Sequence, residues 1–476
     1  MIEVPEHLQD ALLPAGVPVT QRAETAALYL VAGDSAGGDW FDAFVLDDGR
    51  LVVAVGDVVG RGVDAAVAMA GLRVLFEESM REHGDVVLAL EALDRRAGRL
   101  SEASAATMCV CVLIPTSGEL VYCTAGHPAP VVVSDGKASY LAGTGCGPLR
   151  SGRGFRVTSR RLATGDVLFL YSDGLLERAG RAPAEGAAEV LRAVEDAAAQ
   201  SEVMDSHEPA VERACRRTVE SLTGSTGYAD DVAVLALQPV PPLPDLVLAL
   251  PAVADTVRVA RIELDDWLEA ARVGELDRMA LLHAVGELVS NAVEHAYPDP
   301  GRGHEVRLRV ALGTDGLVHV EVADDGRWQD RRTSSRGRGL AMARGLLDAL
   351  RIERGDAGSR AVGRHRVGRP AVLLRSSAPS RTDGVQPFAI EDTDGLLRLG
   401  GTIDLRGAEQ LRHMLDRVTA AGTRPVSLDL TAVDLLTSAA VQVLFDARAA
   451  GPVELLAPVG SPARHVLDVV GLSYES

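Results

Sequence analysis

Over the first half of the chain, short apolar runs alternate with glycine-bearing turns: Ala27 to Ala32, Leu51 to Val55, Met108 to Ile114, Leu120 to Thr124, Val131 to Val133, Val167 to Tyr171 and Val232 to Leu237. Their length and β-branched content predict strands. Val63 to Glu82 and Asp85 to Leu100 carry apolar residues at helical spacing, and the Ala-rich stretch from Ala182 to Ala199 predicts a loop and a helix. The mixture predicts an α+β sandwich with an antiparallel core.

Beyond residue 245 the pattern changes. Val257, Ala260, Leu264, Trp267 and Leu268 share one face of an amphipathic helix, and Leu282, Val285, Val289, Ala292 and Val293 mark a longer one. Val306 to Leu312 and Val318 to Val322 alternate with period two around Gly313-Thr314-Asp315-Gly316, which predicts a hairpin. A last region reads as a hairpin followed by βαβαβα: Leu396 to Gly400, Ala408 to Ala421, Val426 to Leu430, the helix after Ser438, Val453 to Leu456, and Pro462 to Val470. That is a small α/β domain. Ser438, between a buried-strand pattern and an apolar helical one, reads as a helix N-cap.

Two composition breaks separate these regions, the proline-rich Pro239 to Pro244 and the polar Ser376 to Gln386. Three domains are expected, at 1–240, 245–376 and 387–476, as a length of 476 residues also suggests. With 48 basic against 67 acidic side chains, the chain should be repelled by nucleic acid and by anionic membranes. Five cysteines without a CxxC pair fit neither a disulfide framework nor a zinc knuckle. No run of about 18 apolar residues and no signal-like N-terminus is found, so a cytoplasmic protein is expected.

Acidic residues stand at the ends of several strands. Asp39 and Asp42 lie in Gly37-Gly38-Asp39-Trp40-Phe41-Asp42, Asp57 follows Leu51 to Val55, Asp173 follows Val167 to Tyr171, and Asp230-Asp231 precedes Val232. An Asp-Gly at a strand end is by itself a turn signal. Several carboxylates delivered from separate strands are the way a protein builds an oxygen-ligand site for two hard cations. Farther on, Glu287 and Asn291 lie four apart on one helix face, where they could pair a general base with a magnesium ligand or simply face solvent. Gly337-Arg338-Gly339-Leu340 opens another helix, where backbone N–H groups could face phosphates.

The first 240 residues resemble the SpoIIE-type metal-dependent serine/threonine phosphatases of the PPM class. The likeness rests on GGDWFD (37–42), GDVVGRG (56–62), AGHPAP (125–130), YSDG (171–174) and DDVAVL (230–235), in that order, with a similar lead-in from His7 to Pro14. It implies a PPM-type αββα sandwich and two Mn2+ or Mg2+ ions on Asp39, Asp57, Asp173 and Asp230, with the Val58 carbonyl as a further ligand. Arg61 stands where the family often has His or Asn.

ELVSNAVEHAY (287–297), VADDGRW (322–328) and GRGLAMARGL (337–346) resemble the GHKL ATPase fold of anti-sigma-factor serine kinases. That likeness implies an α/β sandwich holding ATP with Mg2+, with Glu287 as base, Asn291 as magnesium ligand, Asp324 at the adenine, Gly326 as a further nucleotide-binding residue, and Gly337 and Gly339 at the phosphates. The DxGxG pattern ends in Trp328, and a basic stretch, Arg360 to Arg369, replaces the usual Gly-Thr-rich strand. The last region is similar to STAS anti-sigma-factor antagonists, which implies Ser438 as phosphoacceptor, with Thr437 and Ala440 in place of the usual Asp and Gly.

Together these likenesses imply a bacterial partner-switching regulator of a sigma factor. Its phosphatase would act on a phosphorylated STAS antagonist, its own domain or a separate protein, with a sigma factor and a second copy of the chain as further partners. Two other readings stay open: a kinase-dominant anti-sigma factor, and an inactive kinase-like/STAS pair that regulates the phosphatase by docking.

Overall fold

The computed structural model describes residues 12–32, 37–97, 106–176, 183–199, 208–224, 228, 230–253, 255–295, 304–326, 337–355, 358–375, 388–393, 396–403, 405–419, 424–436, 438–458, 461, 463–464, 466–467 and 472–475. The lead-in at 7–11, Trp328, the polar break at 376–386, Thr437 and most of the helix expected at 462–470 lie outside them.

The first module carries β1 (Gly16–Pro18), β2 (Ala23–Val31), β3 (Trp40–Val45), β4 (Leu51–Val58), α1 (Val63–His83), α2 (Val86–Ala97), β5 (Ala106–Ile114), β6 (Glu119–Cys123), β7 (Val131–Ser134), β8 (Lys137–Tyr140), β9 (Thr158–Arg161), β10 (Val167–Tyr171), α3 (Pro183–Ala199), α4 (Ala210–Thr223) and β11 (Val232–Pro239). Strands β3-β4-β5-β6-β9 form one sheet, and β2-β11-β10-β7-β8 belong to another. A core that includes Trp40, Phe41, Leu51, Leu168 and Leu235 joins residues of the two sheets. Every residue of β4 is buried, which accounts for its unbroken apolar run. Phe169, Val194 and Val219 belong to a second cluster, which packs α3 and α4 on the other face of the second sheet. The αββα sandwich expected from the sequence is therefore present.

The second module has β12 (Leu246–Pro251), α5 (Thr256–Ala270), α6 (Glu275–His295), β13 (Glu305–Leu312), β14 (Leu317–Asp324), α7 (Gly337–Leu346), β15 (Ala349–Gly355), β16 (Gly358–Arg366), β17 (Gly368–Pro370) and β18 (Val372–Arg375). Its sheet runs β12-β13-β14-β16-β15. Burial alternates strictly along β14, as the period-two pattern requires. The third module has β19 (Ala389–Thr393), β20 (Leu396–Ile403), α8 (Leu405–Val418), β21 (Val426–Leu436), α9 (Ser438–Ala450) and β22 (Val453–Leu456), with its strands in sequential order.

The last two strands of the second module leave it. β17 pairs antiparallel with β1, and β18 joins the first module's second sheet as an edge strand parallel to β2, from Val372 opposite Leu28 to Arg375 opposite Val31. In return, Val19 is buried in the second module's core. The proline-rich break runs along both modules: the Val240 N–H donates to the Arg22 carbonyl, the Leu243 N–H to Gln21, and Trp267 Nε1 to the Pro244 carbonyl at 2.8 Å. Among the described residues, no helix is long and apolar enough to cross a membrane.

Candidate metal centre and nucleotide site

Both sheets of the first module deliver acids to one end of the sandwich. Asp39 stands just before β3 and Asp57 lies within β4; Asp173 opens a 3-10 turn after β10, and Asp230 and Asp231 precede β11. Carboxylate oxygens of Asp39, Asp57 and Asp173 all lie within 4.8 Å of one another. Desolvation, then the charge of Asp57, raises the Asp39 carboxyl well above the ordinary range. Desolvation and Asp230 raise Asp173 to about 7. Like charges this close are costly without a cation among them, so three converging carboxylates fit a hard divalent ion.

Close backbone packing makes the convergence possible. The Val58 N–H donates to the Gly38 carbonyl at 3.1 Å, and a Cβ on Gly38 would meet the Val58 oxygen at 1.7 Å. Only glycine lets the Asp39 loop lie against β4. Asp230 lies outside the group of three, and Arg61 Nη2 donates to its Oδ1 at 2.6 Å.

Three further residues complete the surroundings. Ser172 is fully buried and donates to Asp39 Oδ2 at 2.6 Å. Asp231 accepts the Ala32 N–H at 2.6 Å and the Tyr29 hydroxyl at 2.7 Å. His127 is buried, with Nδ1 2.8 Å from the Thr107 hydroxyl; Thr107 pairs with Asp57 across β4 and β5, and burial pushes the imidazole down to about 3. Sequence reasoning quoted Ser172 and His127 inside motifs without giving them a part. The sign available was a polar residue in an otherwise apolar strand-end context, next to a candidate ligand.

In the second module, Glu287 and Asn291 lie on α6, and a Cβ on Gly339 of α7 would meet Glu287 Oε2 at 2.0 Å. Glu287 and the first turn of α7 are thus in contact. Gly337 is the first residue of α7. Asn291 Nδ2 donates to the Glu287 carbonyl of its own helix at 2.6 Å. Asp324 is buried at the end of β14, accepts N–H bonds from Gly326 at 3.0 Å and Ser359 at 3.3 Å, and is raised by desolvation.

The expectation that a basic stretch replaces the closing strand needs correction. Gly358–Arg366 forms β16, in which Ser359 lies opposite Asp324. Gly358 has φ 132°, and a side chain there would strike the Asp324 carbonyl, so the position needs glycine on both counts. The arginines hid this strand because they alternate with core-facing Ala361 and Gly363, which are too small to register as an apolar pattern. The Ser359 hydroxyl is buried beside Asp324, so that a carboxylate and a hydroxyl stand together at the end of β14 where a ligand edge could meet them.

In the third module β21 continues past its expected end to Leu436, and α9 begins at Ser438 itself. Ser438 thus stands at the start of α9, and its side chain and Thr437 lie outside the described residues.

Comparison with known proteins matches residues 47–239 to the stage II sporulation protein E (SpoIIE) family, 250–362 to the histidine kinase-like ATPase domain, and 388–473 to the Mlab, STAS domain family. The crystal structure of the RsbU and RsbW domains of Rv1364c from Mycobacterium tuberculosis is 42% identical, with a TM-score of 0.68 over 75% of this chain and 99% of that one. Protein IcfG of Synechocystis is 29% identical over 206 residues, 37% of this chain and 32% of that protein. Phosphoserine phosphatase RsbU of Bacillus subtilis is 25% identical over 181 residues, 37% of this chain and 53% of that one. The matches thus span about half or less of these curated relatives' own lengths.

Proposed function

The chain belongs to the family in which a SpoIIE-type phosphatase is joined to a histidine kinase-like ATPase domain and a STAS domain, and on that premise we propose that it is a metal-dependent phosphoserine/phosphothreonine protein phosphatase of a partner-switching system. The observation that carries this reading is the convergence of Asp39, Asp57 and Asp173 from both sheets within 4.8 Å. Asp39, Asp57, Asp173 and Asp230 would hold two Mn2+ or Mg2+ ions, with the Val58 carbonyl as a further ligand. Bound there, divalent ions supply Lewis acidity for phosphoryl oxygens and lower the pKa of water. The chain's own part is to fix the carboxylates: Ser172 orients Asp39, and the Gly38 contact sets the loop against β4.

The substrate in this proposal is a phosphorylated STAS antagonist, the chain's own Ser438 or a separate protein, and the wider circuit includes a sigma factor. Domains at 1–240, 245–376 and 387–476, a cytoplasmic location and self-association complete the proposal. The second module binds ATP with Mg2+ through Asp324, Gly326, Asn291, Gly337 and Gly339, with Glu287 as base for a reverse phosphorylation. Trp328, Thr437 and Ala440, which depart from the two families' motifs, favour one rival reading, in which that module docks on the STAS domain without transferring phosphate, while the Asn291 Nδ2 bond to the Glu287 carbonyl leaves Oδ1 for magnesium. The test of the main reading is hydrolysis of a phosphorylated STAS domain with Mn2+, beside Asp57→Asn and Asp173→Asn. Activity lost in both variants supports it; equal activity in all three proteins sinks it.

A further inference from the structure

Arg61 sits in the turn after β4, between Gly60 at φ 117° and Gly62 at φ 91°, and forms an antiparallel bridge with Gly37 of the metal-site loop. Those left-handed glycines and that bridge fix where the side chain emerges. Its Nη2 donates to Asp230 Oδ1 at 2.6 Å, and the same oxygen accepts the Asp231 N–H at 2.8 Å. The two side chains are 29% and 30% exposed, so the pair stands at the mouth of the site. A guanidinium–carboxylate bond is among the stronger hydrogen bonds. A metal ion held through Oδ1 must displace the guanidinium or share that oxygen with it, and one held through Oδ2 binds a carboxylate whose charge the neighbouring guanidinium already offsets.

We propose that Arg61 and a divalent cation compete for Asp230, so that one ion binds tightly on Asp39, Asp57 and Asp173 and a second binds only as Arg61 leaves. This inference rests on the reading of the carboxylates as a metal centre. Once released, the planar guanidinium matches two phosphate oxygens. An anion that draws Arg61 away from Asp230 then strengthens second-ion binding, and by reciprocity the second ion strengthens anion binding.

The test is calorimetric titration of the full chain with Mn2+, with and without inorganic phosphate as probe. The wild type should show one tight and one weak step, with phosphate strengthening the weak step. Arg61→Gln should strengthen the weak step about tenfold or more, as expected for loss of a charge-assisted hydrogen bond, and abolish the phosphate effect. Arg61→Lys, which keeps the charge, should stay nearer the wild type and guards against a misfolded glutamine variant. A weak step unchanged in Arg61→Gln, with the tight step intact, overturns the proposal. Absence of any Mn2+ binding overturns the metal reading itself, because the tight step does not depend on Arg61.

Discussion

Ser172 holds Asp39: its hydroxyl donates to Asp39 Oδ2 at 2.6 Å while accepting the Ala233 N–H at 3.0 Å. The hydroxyl thus links the start of β11 to the loop before β3, and so ties one sheet to the other at the metal site. Ser172→Ala leaves a buried carboxylate oxygen and a buried N–H each short of a partner. Orienting groups behind a metal ligand are worth roughly 10- to 100-fold in metal affinity. Mn2+ affinity in Ser172→Ala should fall by about that factor, while Ser151→Ala, at a buried hydroxyl without a partner, should leave it unchanged. Equal affinities in Ser172→Ala and the wild type would show that Asp39 is oriented by other contacts.

The carboxyl cluster also predicts opposite pH trends for the metal-free and metal-loaded protein. Burial and neighbouring carboxylates hold Asp173 up at about 7 and Asp39 well above its ordinary value. The unfolded chain releases those protons near pH 4, roughly the free carboxyl value, so between about pH 4 and 7 the folded state binds more protons. Stability of the metal-free protein therefore falls as pH rises through that window. Mn2+ must expel the same protons, so its affinity should climb through the window and flatten above it. Melting without metal should be lower at about pH 8 than at about pH 6, and saturating Mn2+ should shrink or reverse the difference. A metal-free melting temperature that rises with pH over this range would contradict the raised carboxyls.

How far the sequence reveals this molecule depends on what each element needs from its neighbours. β10 and β22 agree with their expected bounds because each is a compact apolar run between turns. The clustered acids could be found because a carboxylate at the end of a buried strand is conspicuous. β12 escaped notice although its burial alternates, since half of its residues face outward and are themselves apolar, Val247 being 68% exposed. β17 and β18 were illegible for another reason: they are short, and their partners, β1 and β2, lie more than 300 residues earlier. The Arg61 contact with Asp230 spans 169 positions, and no local pattern encodes it.

The exchanged strands predict that the first two modules do not separate cleanly. Leu373 packs against the sandwich core from β18, whose removal leaves β2 as an exposed edge. A fragment of residues 1–240 should melt at lower temperature and aggregate more readily than residues 1–375. In the longer fragment, Leu373→Asp buries an unpaired charge and should cost about 2–4 kcal/mol, read from denaturant unfolding of the phosphatase module. Equal stability of the two fragments would mean that β18 adds nothing to the sheet.

The second module's capacity to act on Ser438 can be split into two measurements. Asp324 and the neighbouring Ser359 hydroxyl are buried polar groups side by side, so Asp324→Asn should weaken binding of a fluorescent ATP analogue by about 10-fold or more. Transfer is a separate question, because under the proposal Glu287 would have to meet a hydroxyl from another module. With labelled ATP and Mg2+, label on the chain should vanish in Ser438→Ala and drop at least roughly 100-fold in Glu287→Gln. Binding that depends on Asp324 without any transfer of label would assign this module to docking alone, and the phosphatase would then be the chain's one enzyme.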